Sequence, residues 1–319
     1  MSECHHTLPH IIYIAGYGRS GSTLLDILLG SAEGVESVGE LSGIFDAWEE
    51  EQDRCACGET IAHCAFWQAV QKRYVDYRGE KPGQLAARAV QQVVERRRGL
   101  FRLFLGLLPQ RLQEAYAQHQ RALFKAISEV SGKQAILDSS KSARLTAGRL
   151  YALWRLAGLQ VRVIHLVRDG RGVMWSQLKG DNNRLERGET DAHLPLAILR
   201  TLYGWTLANL VVLLQSWFMP PGSVLRVQYE KLVHQPACEL TRIARFLNVD
   251  LSTVIAKVQH GQPFSAHHTC RGNRMRHMGA VTVREDREWH CKLPRRARLL
   301  YWLFGWPAHC IFCRPDAGH

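Results

Sequence analysis

Residues 10–25, HIIYIAGYGRSGSTLL, decide the fold. The first six are a short apolar, largely β-branched run, the pattern of a strand buried on both faces. It stops at Gly16, Gly18 and Gly21, and Ser22 and Thr23 then open a helical stretch running to Leu29, with hydroxyl and carboxylate capping chemistry near its start. Strand, glycine loop and helix N-terminus in that order make an anion cradle. Small residues let the backbone wrap the ligand, and the helix end offers free N–H groups with partial positive charge.

Working outward, residues 134–137, 160–167 and 224–227 read as three further strands, and 145–156, 171–178 and 238–247 as helices. Strands separated by helices imply parallel pairing. The expected class is α/β, a P-loop-like doubly wound parallel sheet with helices on both faces. Between about 67 and 132 the pattern is helical only, with a basic run Arg96-Arg97-Arg98 and an apolar stripe Leu100 to Leu108. This reads as a helical insertion or lid within one domain spanning 1–319.

The chain has 319 residues, 46% hydrophobic and 22% charged, which excludes disordered, collagenous and coiled-coil classes. A net charge of +12, with 15 further His, predicts an anionic partner without choosing among nucleotides, nucleic acid and acidic membrane faces. Nine scattered cysteines are no disulfide framework of a small secreted domain. The first nine residues lack the apolar run of a signal peptide, so a cytoplasmic chain with mostly reduced thiols is expected. No charged residue falls between Arg200 and Arg226. Tyr203, Gly204, Asn209 and Gln215 dilute that stretch, and it reads as a buried core helix with no membrane span. Residues 299–313 read as a packed C-terminal helix.

The glycine loop admits three readings. As a dinucleotide fingerprint, Gly16, Gly18 and Gly21 fit G-x-G-x-x-G with Glu36 or Glu40 downstream, a weak match that leaves the later motifs unused. As a P-loop, Gly16 and Gly21 are spaced correctly, but Ser22 replaces the lysine that a kinase or NTPase uses with ATP–Mg²⁺. The third reading has one cation, Arg19, inside the loop and hydroxyls at its end, suiting a single 5′-phosphate that becomes a leaving group.

Residues 17–25 (YGRSGSTLL) and 163–176 (VIHLVRDGRGVMWS) together resemble the sulfotransferase family that uses 3′-phosphoadenosine 5′-phosphosulfate (PAPS). The first is similar to its 5′-phosphosulfate loop and the second to its 3′-phosphate site. Tyr229-Glu230-Lys231-Leu232 resembles the family's Y-E-x-L segment, and Arg271-Gly272-Asn273-Arg274-Met275-Arg276 a basic glycine loop that closes over the nucleotide. The resemblance covers 10–50, 134–180 and 223–290, not 67–132.

The resemblance implies transfer of a sulfuryl group from PAPS to an acceptor hydroxyl or amine by in-line displacement, with no metal. Positioned cations and N–H groups neutralise charge on the leaving phosphate. By resemblance, Arg19 serves the leaving oxygen, and Ser20, Gly21, Ser22 and Thr23 bind the 5′-phosphate. Lys141, after the second strand, reaches the sulfonate or bridging oxygen, with a solvated surface lysine as the alternative. Arg168 and Ser176 grip the 3′-phosphate, a charge-assisted contact plus a hydroxyl. Tyr229, Arg271, Gly272, Asn273 and Arg276 complete the nucleotide site. Asp169 and Arg171 read as a first-turn acid and a helix-surface cation, outside the site.

Glu40, in Val38-Gly39-Glu40-Leu41, is the candidate general base by likeness to protein-tyrosine sulfotransferases. A helix-cap or ion-pair role competes, as does a histidine base, with His267 and His268 available. Cys55-x-Cys57 and Cys64, beside His63, match no strong zinc-ligand spacing. They read as structural or as a redox-labile pair, and Cys310-x-x-Cys313 as incidental. A P-loop kinase or NTPase is the alternative enzyme. A basic surface-binding protein is a third class, opposed by cations that sit beside glycine turns rather than on one stripe, so no nucleic acid is expected. The acceptor, whether carbohydrate, phenol, lipid or peptide, is expected to be read by 67–132 and 179–193.

Overall fold

Five parallel strands form one sheet in the order β2-β3-β1-β4-β5. They are β1 (His10–Ala15), β2 (Val35–Gly39), β3 (Ala135–Asp138), β4 (Val161–Val167) and β5 (Val224–Gln228). The computed structural model describes residues 8–49, 53–79, 86–142, 145–179 and 194–313. The α/β parallel class holds, and four strands lie where the sequence puts them. β2 is an addition. Its VESVG sequence lacks both alternation and an apolar run, yet all five residues are buried. Ser37 donates to Asp26 at 2.7 Å and Glu36 pairs with Lys133 at 3.3 Å. Tertiary partners satisfy its polar groups and override its weak strand pattern.

The helices in the first half are α1 (Ser22–Gly30), α2 (Ile44–Glu49), α3 (Ala65–Arg78), α4 (Ala87–Glu95), α5 (Arg97–Phe104) and α6 (Gln110–Ser131). Those that follow are α7 (Arg149–Arg155), α8 (Gly170–Lys179), α9 (Leu194–Ser216), α10 (Tyr229–His234), α11 (Pro236–Leu247) and α12 (Ser252–Gln259). Because strand side chains alternate, β1 feeds two cores. Ile11 and Tyr13 join Trp67, Tyr116, Phe124, Ile127 and Leu150 on one face. Ile12 and Ile14 join Leu25, Leu28, Leu240 and Ile243 on the other. Each fully buried Leu or Ile stabilises the fold by roughly 2 kcal/mol.

Trp67 and Val70 of α3, Val90 and Val94 of α4, and Tyr116, Phe124 and Ile127 of α6 thus make the described helices of region 67–132 a layer of that core. A buried ionic cluster also fastens it. Arg149 of α7 donates to Asp138 of β3 through Nε at 2.9 Å and also pairs with Glu95 of α4, while Tyr116 of α6 donates to Glu95 at 2.9 Å. Burial works against the Arg149 charge, but Asp138 and Glu95 hold it well above its ordinary pKa.

α9 is long and apolar enough to cross a membrane. Its Ile198, Leu202, Trp205 and Val212 are buried, and so are its polar Thr201, Asn209 and Gln215. His165 of β4 donates through Nε2 to the Asn209 Oδ1 at 2.8 Å, and Gln215 accepts from Tyr151 N–H and donates to the Ala147 carbonyl. The expected core helix is thus half right: its outer face, with Leu196, Tyr203 and Leu210, remains apolar and exposed.

Candidate functional site

All five strands end on one edge, and each delivers a side chain to one cleft of about 500 Å³. The turn after β1 brings Arg19, Gly21, Ser22 and Thr23, and the turn after β2 brings Glu40. Lys141 follows β3, Arg168 follows β4 with Ser176 two turns along α8, and Tyr229 follows β5. Ligand binding at the carboxyl ends of a parallel sheet is the general rule for such folds. A larger cavity, about 1010 Å³, opens at the opposite edge around Gly34, Gln134, Gln160 and Gly222. It holds none of the predicted site residues, so the smaller cleft is the candidate.

The loop geometry explains its residues. Gly16 has φ 130, and a Cβ there would meet the Leu166 carbonyl oxygen at 2.4 Å. Gly21 has φ 93, and its Cβ would strike the Tyr229 ring at 2.4 Å. Only glycine fits either position. Arg19 and Lys141 also adopt positive φ, 66° and 64°. Such strain persists where the surroundings impose it and is concentrated at functional sites. Gly18 faces open space where a Cβ would stand, leaving the cradle free. Ser20 is buried, and its Oγ has no hydrogen-bond partner among the described residues.

Arg168 is nearly buried. Its Nη1 donates to the backbone oxygen of Arg19 at 3.1 Å, its Nη2 to Asp286 at 3.0 Å, and its guanidinium lies 4.4 Å from the Tyr229 ring centre. The two motif arginines therefore share one cleft wall. Burial raises the Tyr229 pKa, against the lowering influence of Arg168. Lys141 forms an ion pair with Glu40, and the Tyr13 hydroxyl donates to the Lys141 carbonyl.

A strap after α12 closes the cleft. Cys270 bridges to Gly39, with Cys270 N–H donating to Val38 at 2.9 Å and Glu40 N–H to Cys270 at 2.8 Å. This brings Gly272 and Asn273 into the cleft, Gly272 beside the Glu40 carboxylate.

Residues 9–253 match the sequence model of a sulfotransferase family. The chain belongs to the sulfotransferase family. Its chemistry is sulfuryl transfer, and nothing in that assignment favours an ATP–Mg²⁺ kinase. No curated protein matches the chain. Among solved structures, it is similar to the sulfotransferase domain from the curacin biosynthetic pathway (TM-score 0.51, 18% identity, covering 93% of this chain and 98% of that one). It is also similar to the sulfotransferase domain of the Synechococcus PCC 7002 olefin synthase (TM-score 0.47, 22% identity, 95% and 98%). A third is sulfotransferase STF1 of Mycobacterium tuberculosis H37Rv (TM-score 0.47, 17% identity, 81% and 73%). The first of these likenesses bears on the fold.

Several side chains of this sulfotransferase depart from the expected placement. Arg271 does not line this cleft: its Nε donates to Asp53 at 2.6 Å and its Nη1 to Asp46 at 3.3 Å, and it lines instead a neighbouring cleft with Gly18, Glu40 and Lys141. Arg276 is held beside His277, 3.1 Å from its Nε. His268 faces cysteines rather than the cleft. Asp169 is taken by Arg171, at 2.7 Å and 3.0 Å. Sequence reading missed Met275, Thr282, Arg284 and Asp286, which line the cleft. The Arg284/Asp286 pair of opposite charges after a loop carries no spacing signal, and only the strap's path brings it over Arg168.

A second cleft, of about 540 Å³, shares Gly18, Glu40 and Lys141 with the first. Its far wall is Phe45 of α2 and Gln91, Glu95 and Arg96 at the end of α4. The expected acceptor segment 67–132 thus borders Glu40 and Lys141. Residues 180–193 lie outside the described residues.

Proposed function

We propose that the sulfuryl donor is PAPS and that the acceptor is a hydroxyl or amine of a small molecule, carbohydrate, lipid or peptide entering the second cleft. The observation that carries this is the convergence of Arg19 and Arg168 on one wall, joined by the 3.1 Å bond, with Ser22, Thr23, Ser176 and Lys141 around the same space. Two anion-binding groups of cations and hydroxyls suit a nucleotide phosphorylated at both 3′ and 5′ positions. The residues fit such a group. Gly18 leaves an open cradle, the buried Ser20 Oγ wants a partner, and the ring of Tyr229 packs on Gly21.

In this reading Arg168 and Ser176 hold the 3′-phosphate. Ser22, Thr23 and the α1 N-terminus hold the 5′-phosphate, where N–H groups and the helix dipole favour an anion. Arg19 and Lys141 stabilise negative charge on the departing phosphate oxygen. Glu40, at the junction of the two clefts, accepts the proton of the acceptor hydroxyl. Lys141 orients that carboxylate through the ion pair. Phe45 and the end of α4 select the acceptor.

Thermal-shift titration with adenosine 3′,5′-bisphosphate, with no added Mg²⁺, tests the donor. A ligand that binds only the native state raises the melting temperature, by the equivalent of about 2.7 kcal/mol at a hundredfold excess over Kd. Stabilisation by ATP–Mg²⁺ with none by the bisphosphate overturns the reading.

A further inference from the structure

We propose that Cys55, Cys57, Cys64 and His268 bind one Zn²⁺ in a closed tetrahedral site that fastens the strap carrying Gly272 and Asn273 to the catalytic edge.

The three thiols and the imidazole converge although His268 is 204 residues from Cys64. All four ligand atoms lie within 4.8 Å of one another. Cys57 Sγ is 3.7 Å from Cys64 Sγ, and His268 Nδ1 is 3.4 Å from Cys64 Sγ and 3.9 Å from Cys55 Sγ. Zinc–sulfur and zinc–nitrogen bonds of about 2.3 and 2.0 Å at tetrahedral angles require edges of about 3.8 Å for S···S and about 3.6 Å for S···N. The Cys57–Cys64, Cys64–His268 and Cys55–His268 edges, 3.7, 3.4 and 3.9 Å, lie close to those values. They do not match a disulfide, whose sulfurs stand about 2.05 Å apart.

The surrounding backbone is built for this geometry. Cys55 N–H donates to the Glu59 carbonyl at 2.8 Å, and Gly58 N–H to the Cys55 carbonyl at 3.0 Å, with Gly58 at φ 99. This tight knuckle turns Cys55 and Cys57 toward one point. Cys64 is the N-cap of the 14-residue α3, which fixes the place of its Sγ at the helix end. Phe66 stacks on the His268 ring at 5.1 Å and 11° and holds its orientation. Cys55 and Cys64 are buried, while Cys57 is exposed and gives the ion a way in. Three thiolates and one neutral imidazole are a soft set suited to Zn²⁺.

Binding balances as Zn²⁺ plus three thiols plus imidazole, giving a complex of net charge −1 and three protons released to solvent. Burial works against the Arg276 charge, while Cys270, Glu40, Asp53 and Cys55 work the other way, so this guanidinium stands within electrostatic reach of the cluster. The mechanical consequence is local. Two residues beyond His268, Cys270 pairs with Val38 and Glu40, and Ala56 N–H donates to Thr269 at 3.3 Å. A metal at the knuckle thus locks the strap against the end of β2.

Full-length protein, purified from zinc-containing medium and dialysed into metal-free buffer, is expected to hold about one zinc per chain by elemental mass spectrometry. Cobalt(II) in its place is expected to give the intense visible bands of a tetrahedral site and thiolate-to-cobalt charge transfer. Cys64→Ser and His268→Ala should each lose tenfold or more in metal content. His63→Ala, whose imidazole instead contacts Thr60 at 2.8 Å, should keep it. His268→Cys restores a fourth soft ligand, so it should retain zinc and strengthen the charge-transfer band even where His268→Ala fails to fold. The proposal is overturned by a metal-free wild type with no cobalt bands, by full zinc retention in His268→Ala, or by a Cys57–Cys64 disulfide in the freshly isolated protein.

Discussion

The Lys141 ammonium pairs with the Glu40 carboxylate where the ends of β3 and β2 meet, and both side chains border the cleft at the strand ends and the second cleft at once. A cation and a base shared by the two spaces stand where an acceptor oxygen would approach the donor. Positive φ at Lys141 holds the lysine in that turn, and the Cys270 carbonyl holds the Glu40 backbone.

Removing the proton acceptor while keeping its shape tests that arrangement. Glu40→Gln should lower kcat by about 10² to 10⁴, the range for loss of a general base, with the affinity for adenosine 3′,5′-bisphosphate within twofold of wild type. Steady-state kinetics and a binding titration read the two quantities separately. A large loss of nucleotide affinity would instead make Glu40 a binding residue.

The two motif arginines should separate by parameter. Arg19→Ala should remove most turnover, because its charge is needed as the leaving oxygen becomes anionic. Arg168→Ala should chiefly weaken nucleotide binding. Equal effects on binding alone, with turnover at saturation unchanged in both, would contradict the assignment.

Asp286 occupies the Arg168 guanidinium at 3.0 Å, on the wall assigned to the 3′-phosphate. A bound phosphate must displace or tolerate this carboxylate. Asp286→Asn removes the competing charge and should tighten the bisphosphate about three- to tenfold, equivalent to about 1 kcal/mol, by isothermal titration calorimetry. The gain should shrink at high salt.

Arg149→Met leaves Glu95 and Asp138 buried without their cation. Breaking such a cluster typically costs about 3–5 kcal/mol, so the urea midpoint should fall sharply. Since Glu95 and Arg96 also wall the second cleft, acceptor KM should rise in any variant that remains folded.

Burial pushes the Asp26 carboxyl from 3.8 up to about 7, with the Ser37 hydroxyl bond working the other way. Between those values the native state keeps a proton that the unfolded chain has released, so stability falls as pH rises from about 4 to 7 and is level above. Asp26→Asn abolishes that loss and should be more stable than wild type by about 2–4 kcal/mol at pH 8, with no gain at pH 4, by urea unfolding. Burial lowers His165 from 6.5 to about 4, so its contribution is lost as pH falls through that window. Wild type should therefore be nearly flat from pH 4 to 6.5, and the variant should lose stability on acidification.

Sequence alone determined the parts in which the chemistry and the chain neighbourhood coincide. The strand, glycine loop and α1, and the strand ending at Arg168 with Ser176 on the next helix, are each legible because a few adjacent residues carry both conformation and anion chemistry. From these came the parallel α/β class and the family. β2 escaped, because Glu36 and Ser37 are satisfied only by Lys133 and Asp26.

Tertiary structure decided whatever depends on residues far apart in the chain. It set Lys141 against Glu40, turned Arg271 away toward Asp53 and Asp46, laid Asp286 over Arg168 and carried His268 to three cysteines. Spacing near Cys64 pointed to His63 and to no metal, since a ligand 204 residues away leaves no mark on local sequence. Such juxtapositions follow from the packing of the sheet and its strap. The entropy of closing those long loops is offset by burial of the whole core rather than by the site residues themselves.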